Sequence, residues 1–89
     1  MLPFSLLKSS INHPISIELN SRETYNGHLS EIDRHMNVRL ADAILTSASG
    51  DRFKKIADCW IRGNAIKNFR ITSKLLDDSS QKRRLDSIN

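Results

Sequence analysis

The sequence predicts an all-β domain with one N-terminal helix, built as a small antiparallel barrel of five strongly bent strands. Five segments carry strand-like patterns of apolar residues, and short turn-forming segments separate them. A clear helical pattern precedes the first of these segments. Gly27 lies in the middle of a long strand pattern, where a small and sharply bent barrel needs a glycine.

The helix is predicted over residues 2–12. Phe4, Leu7 and Ile11 recur at helical spacing and give the helix one apolar face. Pro14 ends the helix, because the residue before a proline disfavours helical geometry. Since a helix this short is not stable alone in water, we expect it to pack on the open end or a face of the sheet.

The first hairpin is predicted from two strands, residues 15–19 and 23–32, joined by a tight turn at Asn20-Ser21. The first strand alternates apolar and polar residues, which is typical of a half-buried strand. Gly27 interrupts the second strand. An interior glycine usually marks a sharp bend or a close approach of two backbones.

The third strand is predicted over residues 36–47. Its alternation changes phase near residues 41–43, which indicates a β-bulge. After a turn at 48–51, the fourth strand is predicted over Phe53–Ile61. We expect Cys59 and Ile61 on one face of this strand and Ile56 and Trp60 on the other. A strand that is apolar on both faces is either central or an edge that docks on another molecule, and the sequence leaves both open.

A short connection at residues 62–64 leads to the fifth predicted strand, residues 65–71. The polar stretch that follows is predicted to be a short helix or a disordered tail, so the chain divides into a domain at 1–72 and a tail at 73–89. The tail contains Lys82-Arg83-Arg84. This basic run either contacts RNA or contributes only to solubility.

The chain has 89 residues and is predicted to form one domain. A domain of this size buries only about 60–65% of its unfolded surface, so we expect association with other chains to supplement the core. The single cysteine, Cys59, excludes an internal disulfide and favours a reducing compartment. We expect no structural metal and no cofactor, because no cluster of Cys and His has the spacing of metal ligands.

The net charge of +4 and the pI of about 9.6 are consistent with a partner that carries phosphate groups. No apolar run approaches the roughly 20 residues of a membrane span, and no signal peptide is expected. A nuclear or cytosolic location is therefore expected. We do not expect an enzyme, because no nucleophile with a base, carboxylate pair, phosphate loop or metal cluster is visible.

Two short polar segments lie at the ends of predicted strands. Residues 33–37 place Asp33, His35 and Asn37 close together, and residues 61–64 include Arg62, Gly63 and Asn64. A site for a single-stranded base needs a flat group for stacking, a cation or second plane opposite, and a hydrogen-bonding edge. The two segments together supply these groups, so we predict that they meet in the fold and hold one RNA base.

The same segments resemble two known motifs. Residues 25–29, Tyr-Asn-Gly-His-Leu, followed by Asp33 and Asn37 resemble the first Sm motif, and residues 61–66, Ile-Arg-Gly-Asn-Ala-Ile, resemble the second. Over about residues 1–72 the chain is similar to the Sm-like (LSm) family. The resemblance implies the Sm fold, an SH3-like barrel of one helix and five strands. It also implies a seven-membered ring of LSm subunits, in which the strand near Phe53–Ile61 pairs with the strand near 65–71 of the next subunit.

The resemblance implies roles for the site residues. His35 stacks on the base and the guanidinium of Arg62 lies opposite. The carbonyl of Asn37 accepts from uracil N3–H, and its amide donates to a uracil oxygen. His35 departs from the pattern of the similar family members, which often carry Trp at this position. An imidazole also stacks on a base. The first turn departs as well, since the family often has a glycine where this chain has Asn20-Ser21.

Three further residues complete the predicted RNA site. Asp33 orients Asn37 or its loop, Gly63 lets the backbone approach the base and adopt unusual torsions, and Asn64 adds a polar contact. Asp33 and Asn37 also have a simpler interpretation as turn-formers that bond their own backbone. A structural module whose site is idle therefore stays as the alternative to RNA binding.

The implied RNA partner is uridine-rich and single-stranded. The resemblance implies a nuclear ring on the 3′ end of U6 spliceosomal RNA, acting in splicing. It also implies a cytoplasmic ring on mRNA 3′ ends, acting in decapping and decay. The expected location is therefore both nucleus and cytoplasm.

Overall fold

The computed structural model describes residues 4–71, which form one helix and five strands. These are α1 (Phe4–Ser9), β1 (Pro14–Leu19), β2 (Thr24–Ile32), β3 (Val38–Thr46), β4 (Phe53–Ile61) and β5 (Ile66–Ile71). All paired strands are antiparallel and lie in one sheet in the order β4-β3-β2-β1-β5. The predicted fold class is confirmed. The predicted tail at 73–89 lies outside the described residues.

The helix is shorter than predicted at its C-terminal end. It ends at Ser9 and not at residue 12, because the following residues turn and Asn12 adopts a left-handed φ of 74°. The N–H of Asn12 then donates to the carbonyl of Leu29 at 2.6 Å, and the N–H of Leu29 donates to the carbonyl of His13 at 3.1 Å. These bonds tie the segment after the helix to β2. The predicted helix start at residue 2 lies outside the described residues.

A single cluster of buried apolar side chains forms the core of the described part of the chain. The helix contributes one side chain, Leu7, which is fully buried, and every strand contributes at least one. Burying a Leu, Ile, Val or Phe side chain stabilises a fold by roughly 1.5–3 kcal/mol. The core members are Leu7, Ile15, Ile17, Leu29, Val38, Leu40, Ala43, Ile61, Ile66 and Phe69.

The bulge predicted at residues 41–43 is present in β3. Asn26 pairs with Ile44 and His28 pairs with Ala41, so β3 has one residue more than β2 across this interval. Asp42 has a left-handed φ of 50°. The extra residue shifts the alternation of β3 and returns its side chains to the core beyond the bulge.

Gly27 lies opposite this bulge. A Cβ at Gly27 would lie 3.0 Å from the Cα of Ala43 and 3.1 Å from the carbonyl oxygen of Ala41. Both contacts are with backbone atoms, so glycine is needed for the close approach of β2 and β3. The predicted close approach is confirmed.

The predicted faces of β4 are partly wrong. Ile56 packs against the core together with Cys59, whereas Trp60 is 53% exposed. Ile56 pairs with Ala43, and Cys59 pairs with Leu40. Because directly opposite residues share a face of the sheet, β4 follows the phase change of β3. The sequence of β4 alone contains no sign of this shift.

Several predicted boundaries differ from the structure, and three of these differences have a cause in the backbone. β3 begins at Val38 and not at Met36, because Met36 has a left-handed φ of 65° and belongs to the preceding loop. β5 begins at Ile66, since Gly63–Ala65 forms a 3-10 turn. The first hairpin has a longer connection than Asn20-Ser21, because Arg22 also lies in the turn, with φ 74°.

The two ends of the sheet are unpaired within residues 4–71. β4 pairs only with β3, and β5 pairs only with β1. Each edge therefore presents free backbone N–H and C=O groups. Phe53 at the start of β4 is 70% exposed. No helix in the described range is long and apolar enough to cross a membrane.

Candidate nucleic-acid interface

The carboxylate of Asp33 organises the loop between β2 and β3. Its Oδ1 accepts from the backbone N–H of His35 at 2.8 Å and of Asn37 at 2.9 Å, and its Oδ2 accepts from Nδ2 of Asn37 at 2.9 Å. Partial desolvation raises the pKa of Asp33, but these hydrogen bonds outweigh it and leave the pKa below its ordinary value. Asp33 is therefore ionised at neutral pH.

Asn37 connects this loop to the loop between β4 and β5. Its Oδ1 accepts from the backbone N–H of Gly63 at 2.8 Å. The two polar segments found in the sequence therefore meet, as predicted. Asp33 accepts hydrogen bonds from the backbone of its own loop, as a turn-former does, and it also orients the side chain of Asn37, as predicted.

Asn37 keeps hydrogen-bonding capacity after these contacts. A side-chain amide has two N–H donors and two acceptor lone pairs. Asp33 takes one donor and Gly63 takes one lone pair. One donor and one acceptor remain, which is the pair that the predicted contact with uracil requires.

Of the two reasons predicted for a glycine at position 63, the unusual torsion is wrong, and the close approach to a base stays a prediction. Its φ is not positive, so no unusual torsion requires glycine. Instead, a Cβ at Gly63 would lie 2.5 Å from the carbonyl oxygen of His35 and 2.9 Å from the carbonyl of Met36. Glycine is therefore needed for the backbones of the two loops to pack together.

His35 and Arg62 are both exposed. Among the hydrogen bonds and ion pairs of residues 4–71, none engages the side chain of either residue. An exposed imidazole and an exposed guanidinium therefore flank the Asn37–Gly63 contact in the chain. Their stacking roles remain predictions.

Asn64 is exposed, and its backbone is supported from the first hairpin. Nδ2 of Asn20 donates to the carbonyl oxygen of Asn64 at 3.0 Å, and the N–H of Asn20 donates to the carbonyl of Ala65 at 2.9 Å. From the sequence, Asn20 was predicted only as part of a turn. No sequence signal marks this contact, because the residues are 44 positions apart.

A shallow surface depression lies beside the contact between the two loops. It is lined by Asp33, Asn37, Trp60, Ile61 and Arg62. Trp60 was not among the predicted site residues, because an apolar strand position indicates packing or a subunit interface before it indicates a binding site. The structure places the indole in the lining of the same depression as the predicted site residues Asp33, Asn37 and Arg62.

The neighbouring charges on β3 and β4 are paired. Arg39 donates from Nε and Nη2 to the two carboxylate oxygens of Asp58 at 2.9 and 2.8 Å, and from Nη1 to Glu31 at 3.0 Å. The hydrogen bonds from Arg39 lower the pKa of Asp58. Within residues 4–71, no group of three or more His, Cys, Asp or Glu side chains is placed to hold a metal ion.

The structure thus defines a small, bent antiparallel-sheet protein in which two loops meet at a polar site. The LSM domain family matches residues 5–71, and the chain belongs to that family. The U6 snRNA-associated Sm-like protein LSm4 of Homo sapiens is 49% identical over 77 residues, covering 86% of this chain and 55% of that protein. The LSM complex subunit lsm4 of Schizosaccharomyces pombe is 41% identical over 83 residues, covering 93% of this chain and 69% of that protein.

Solved structures agree with the family. The Sm protein of Pyrococcus abyssii, solved in complex with a uridine heptamer, superposes with a TM-score of 0.72 and 25% identity. The superposition covers 81% of this chain and 100% of that chain. The chain spans 52% and 64% of the length of two curated relatives, the LSm4 proteins of Fagus sylvatica and Arabidopsis thaliana.

Proposed function

We propose that this chain is an RNA-binding subunit of a seven-membered LSm ring that holds uridine-rich ends of single-stranded RNA. One observation carries the proposal. Asn37 is fixed by Asp33 and Gly63 and still has one donor and one acceptor free. Exposed His35 and Arg62, adjacent to this contact in the chain, supply a flat ring and a cation.

The free groups of Asn37 fit uracil. Its carbonyl oxygen accepts from uracil N3–H, and its amide donates to a uracil oxygen. Cytosine has no hydrogen on N3 and presents a mismatched edge. The uridine heptamer bound by the Sm protein of Pyrococcus abyssii supports the same base.

Assembly is part of the proposed function, for an energetic reason. Stacking contributes about 1–3 kcal/mol for each base, so one site binds weakly, and several sites around a ring bind by effective concentration. The unpaired edges of β4 and β5 offer the strand pairing that closes such a ring. The relative named as an LSM complex subunit supports assembly with other LSm chains.

The cellular processes that we propose for this chain are splicing and mRNA decay, and the name of a relative supports the first. The name of the human relative refers to U6 snRNA, which supports a nuclear role in splicing on the 3′ end of that RNA. We further propose a cytoplasmic ring on mRNA 3′ ends in decapping and decay. In both places the chain acts by binding, without a catalytic step of its own.

The test uses the reconstituted ring and a short oligouridylate. Asn37→Ala and Arg62→Ala each remove one recognition group, so each should weaken binding by about 5- to 100-fold, the range of a lost stacking or charged hydrogen-bond contact. Arg52→Ala is the matched control, because Arg52 is an exposed arginine in the turn before β4. Its loss should leave uridine preference unchanged.

The alternative is a structural ring module whose site is idle. It predicts that Asn37→Ala and Arg62→Ala rings assemble and bind oligouridylate like the wild type. Native mass spectrometry of each ring separates failed assembly from failed binding. RNA cleavage by the pure protein that Asp33→Ala abolishes would overturn the proposal of binding alone.

A further inference from the structure

The edge strand β4 carries positive charge without ion-pair partners in its first half. Lys54 and Lys55 are exposed, and Arg52 lies directly before the strand. None of the ion pairs in the described part of the chain includes these three cations. The carboxylate in the second half of β4, Asp58, already accepts from Arg39. The β4 edge therefore offers a neighbouring strand free cations and no free carboxylate.

The opposite edge of the sheet, β5, is also basic. Lys67 and Arg70 are exposed near the two ends of this strand, and β5 itself contains no Asp or Glu. Both cations share one carboxylate, that of Glu18 on β1, at 3.9 and 3.8 Å. Because one carboxylate cannot neutralise two cations, a net positive charge remains on this edge.

Three other carboxylates near the start of β4 lie further from its free edge or are held elsewhere. Asp42 is on β3, one strand further in, and Glu23 precedes β2, two strands further in. Asp51 accepts from two serines of its own turn. Neighbouring strands lie about 4.8 Å apart, and a neighbour's strand would lie directly beside Lys54 and Lys55. The lysines therefore dominate the charge that such a strand meets.

A second copy of this chain is a poor neighbour at this junction. In a ring of identical copies, β4 of each copy would pair with β5 of the next, so the same junction repeats. Because β5 has a cation near each end, the lysines of β4 lie close to Lys67 or Arg70 in either strand direction. Like charges on paired strands destabilise the pairing, and this cost recurs at every junction.

The apolar side chains of β4 do not distinguish between neighbours. Phe53 and Trp60 are large and exposed in the single subunit. Apolar burial is non-directional, so it favours association with any chain that has a matching edge. Charge provides the selection, because like-charge contacts across an interface reject a wrong partner.

We propose that the charges of β4 and β5 prevent this chain from closing a ring with its own copies and select different LSM-family chains as neighbours. The neighbour of β4 has carboxylates and no free cation on its last strand, and the neighbour of β5 has carboxylates on its fourth strand. The inference rests on the proposed ring and adds the chemistry of the two neighbours.

Charge reversal at the two edges tests this inference without RNA. At about 0.1 M salt, wild type alone should not close a ring in native mass spectrometry or sedimentation. Lys54→Glu with Lys55→Glu places opposite charges at the junction, so this variant should self-associate at a concentration about 10- to 100-fold lower. Lys67→Glu with Arg70→Glu reverses the other edge and should give the same gain, which provides an independent variant if the first does not fold.

The variant with all four substitutions, the fully reversed variant, makes both edges acidic. It should lose the gain, because like charges meet again. Mixed with wild type it should form oligomers that contain both chains, since acidic edges then meet basic ones. Raising the salt to about 1 M, where the screening length is about 3 Å, should reduce these differences.

Arg22→Glu with Arg34→Glu is the matched control. Both arginines are exposed and lie outside β4 and β5, and the change in net charge equals that of either edge variant. The control should behave like wild type. Urea denaturation of each variant verifies that it is folded.

The outcomes separate this inference from the proposed function. If wild type alone closes a ring at about 0.1 M salt, or if the control associates as strongly as the edge variants, the inference is wrong. If folded edge variants do not associate and the mixture stays separate, shape and not charge rejects the second copy, and the inference also fails. RNA binding would still stand in each case, because it is measured separately with Asn37→Ala and Arg62→Ala in the reconstituted ring.

Discussion

The side-chain carbonyl of Asn37 accepts the backbone N–H of Gly63 at 2.8 Å, joining loops that are 26 residues apart in the chain. The same amide donates to Asp33. One side chain thus fixes the relative position of the two loops and keeps a donor and an acceptor free. Stability and proposed recognition are therefore coupled at this residue, and changes to its neighbours should affect both.

Gly63→Ala should disrupt both properties. The new Cβ would lie 2.5 Å from the carbonyl oxygen of His35. Since this oxygen belongs to the backbone and the Cβ is fixed to the backbone of residue 63, the two loops must separate. We expect a loss of about 1–3 kcal/mol in the free energy of unfolding, as for overpacked sites, and weaker oligouridylate binding. Urea denaturation and binding titrations measure the two effects.

Gly50→Ala is the matched control for Gly63→Ala. Gly50 has a φ of +81°, and no neighbouring atom lies within 4 Å of the position that a Cβ would take there. The substitution therefore costs only left-handed backbone strain of about 1–2 kcal/mol. RNA affinity of the assembled ring should not change. Equal loss of affinity in both variants would mean that general destabilisation, and not the loop contact, determines binding.

Asp33→Asn should make the free energy of unfolding less dependent on pH in the acid range. The pKa of Asp33 is lowered from its ordinary value of 3.8 in the folded state, so its ionised form stabilises the fold above the unfolded pKa, and this stabilisation is lost as pH falls through the folded pKa. Wild type should be more stable than the variant at pH 7. The difference should shrink below about pH 4.

Chemical denaturation of both proteins between pH 7 and pH 3 measures this difference. Asp58→Asn is a comparison at a second carboxylate whose pKa is also lowered, in that case by Arg39. It should change stability without changing oligouridylate binding, because its partners lie outside the depression. A wild-type advantage over Asp33→Asn that stays constant down to pH 3 would contradict the role given to Asp33.

Gly27→Ala should destabilise the fold without acting on the site. The added Cβ would lie 3.0 Å from the Cα of Ala43, so β2 and β3 must move apart near the bulge. We expect a loss of about 1–3 kcal/mol in thermal or urea unfolding. Adding Ala43→Gly removes one of the contacts and should restore part of the stability. A single variant as stable as wild type would show that the two strands separate easily.

Arg22→Gly should stabilise the protein. Arg22 has a φ of 74° in the first hairpin connection, a conformation that costs a side-chain-bearing residue about 1–2 kcal/mol and glycine very little. After the greater entropy loss of glycine, the net gain should be about 0.5–1 kcal/mol in urea denaturation. Arg22→Ala keeps the backbone strain and should show no gain. An equal gain in both variants would assign the effect to the lost charge.

Much of the fold was predictable because it depends on neighbours in the chain. Alternating apolar residues indicated the strands, and the phase change at residues 41–43 indicated the bulge that Asp42 forms. Gly27 marked the close approach of β2 and β3. Met36 and Asn12 were misplaced, since single left-handed residues end an element without an apolar pattern to signal them.

Local patterns in the sequence were enough to predict the order of the elements and the residue types of the candidate site. Which of these groups contact each other depends on how the strands pack. The bond from Asn37 to Gly63, the support of Asn64 by Asn20 and the exposure of Trp60 depend on strand register across the whole sheet. Ile56 faces the core because β4 follows a bulge in another strand. Such contacts join residues far apart in sequence, and only packing brings them together.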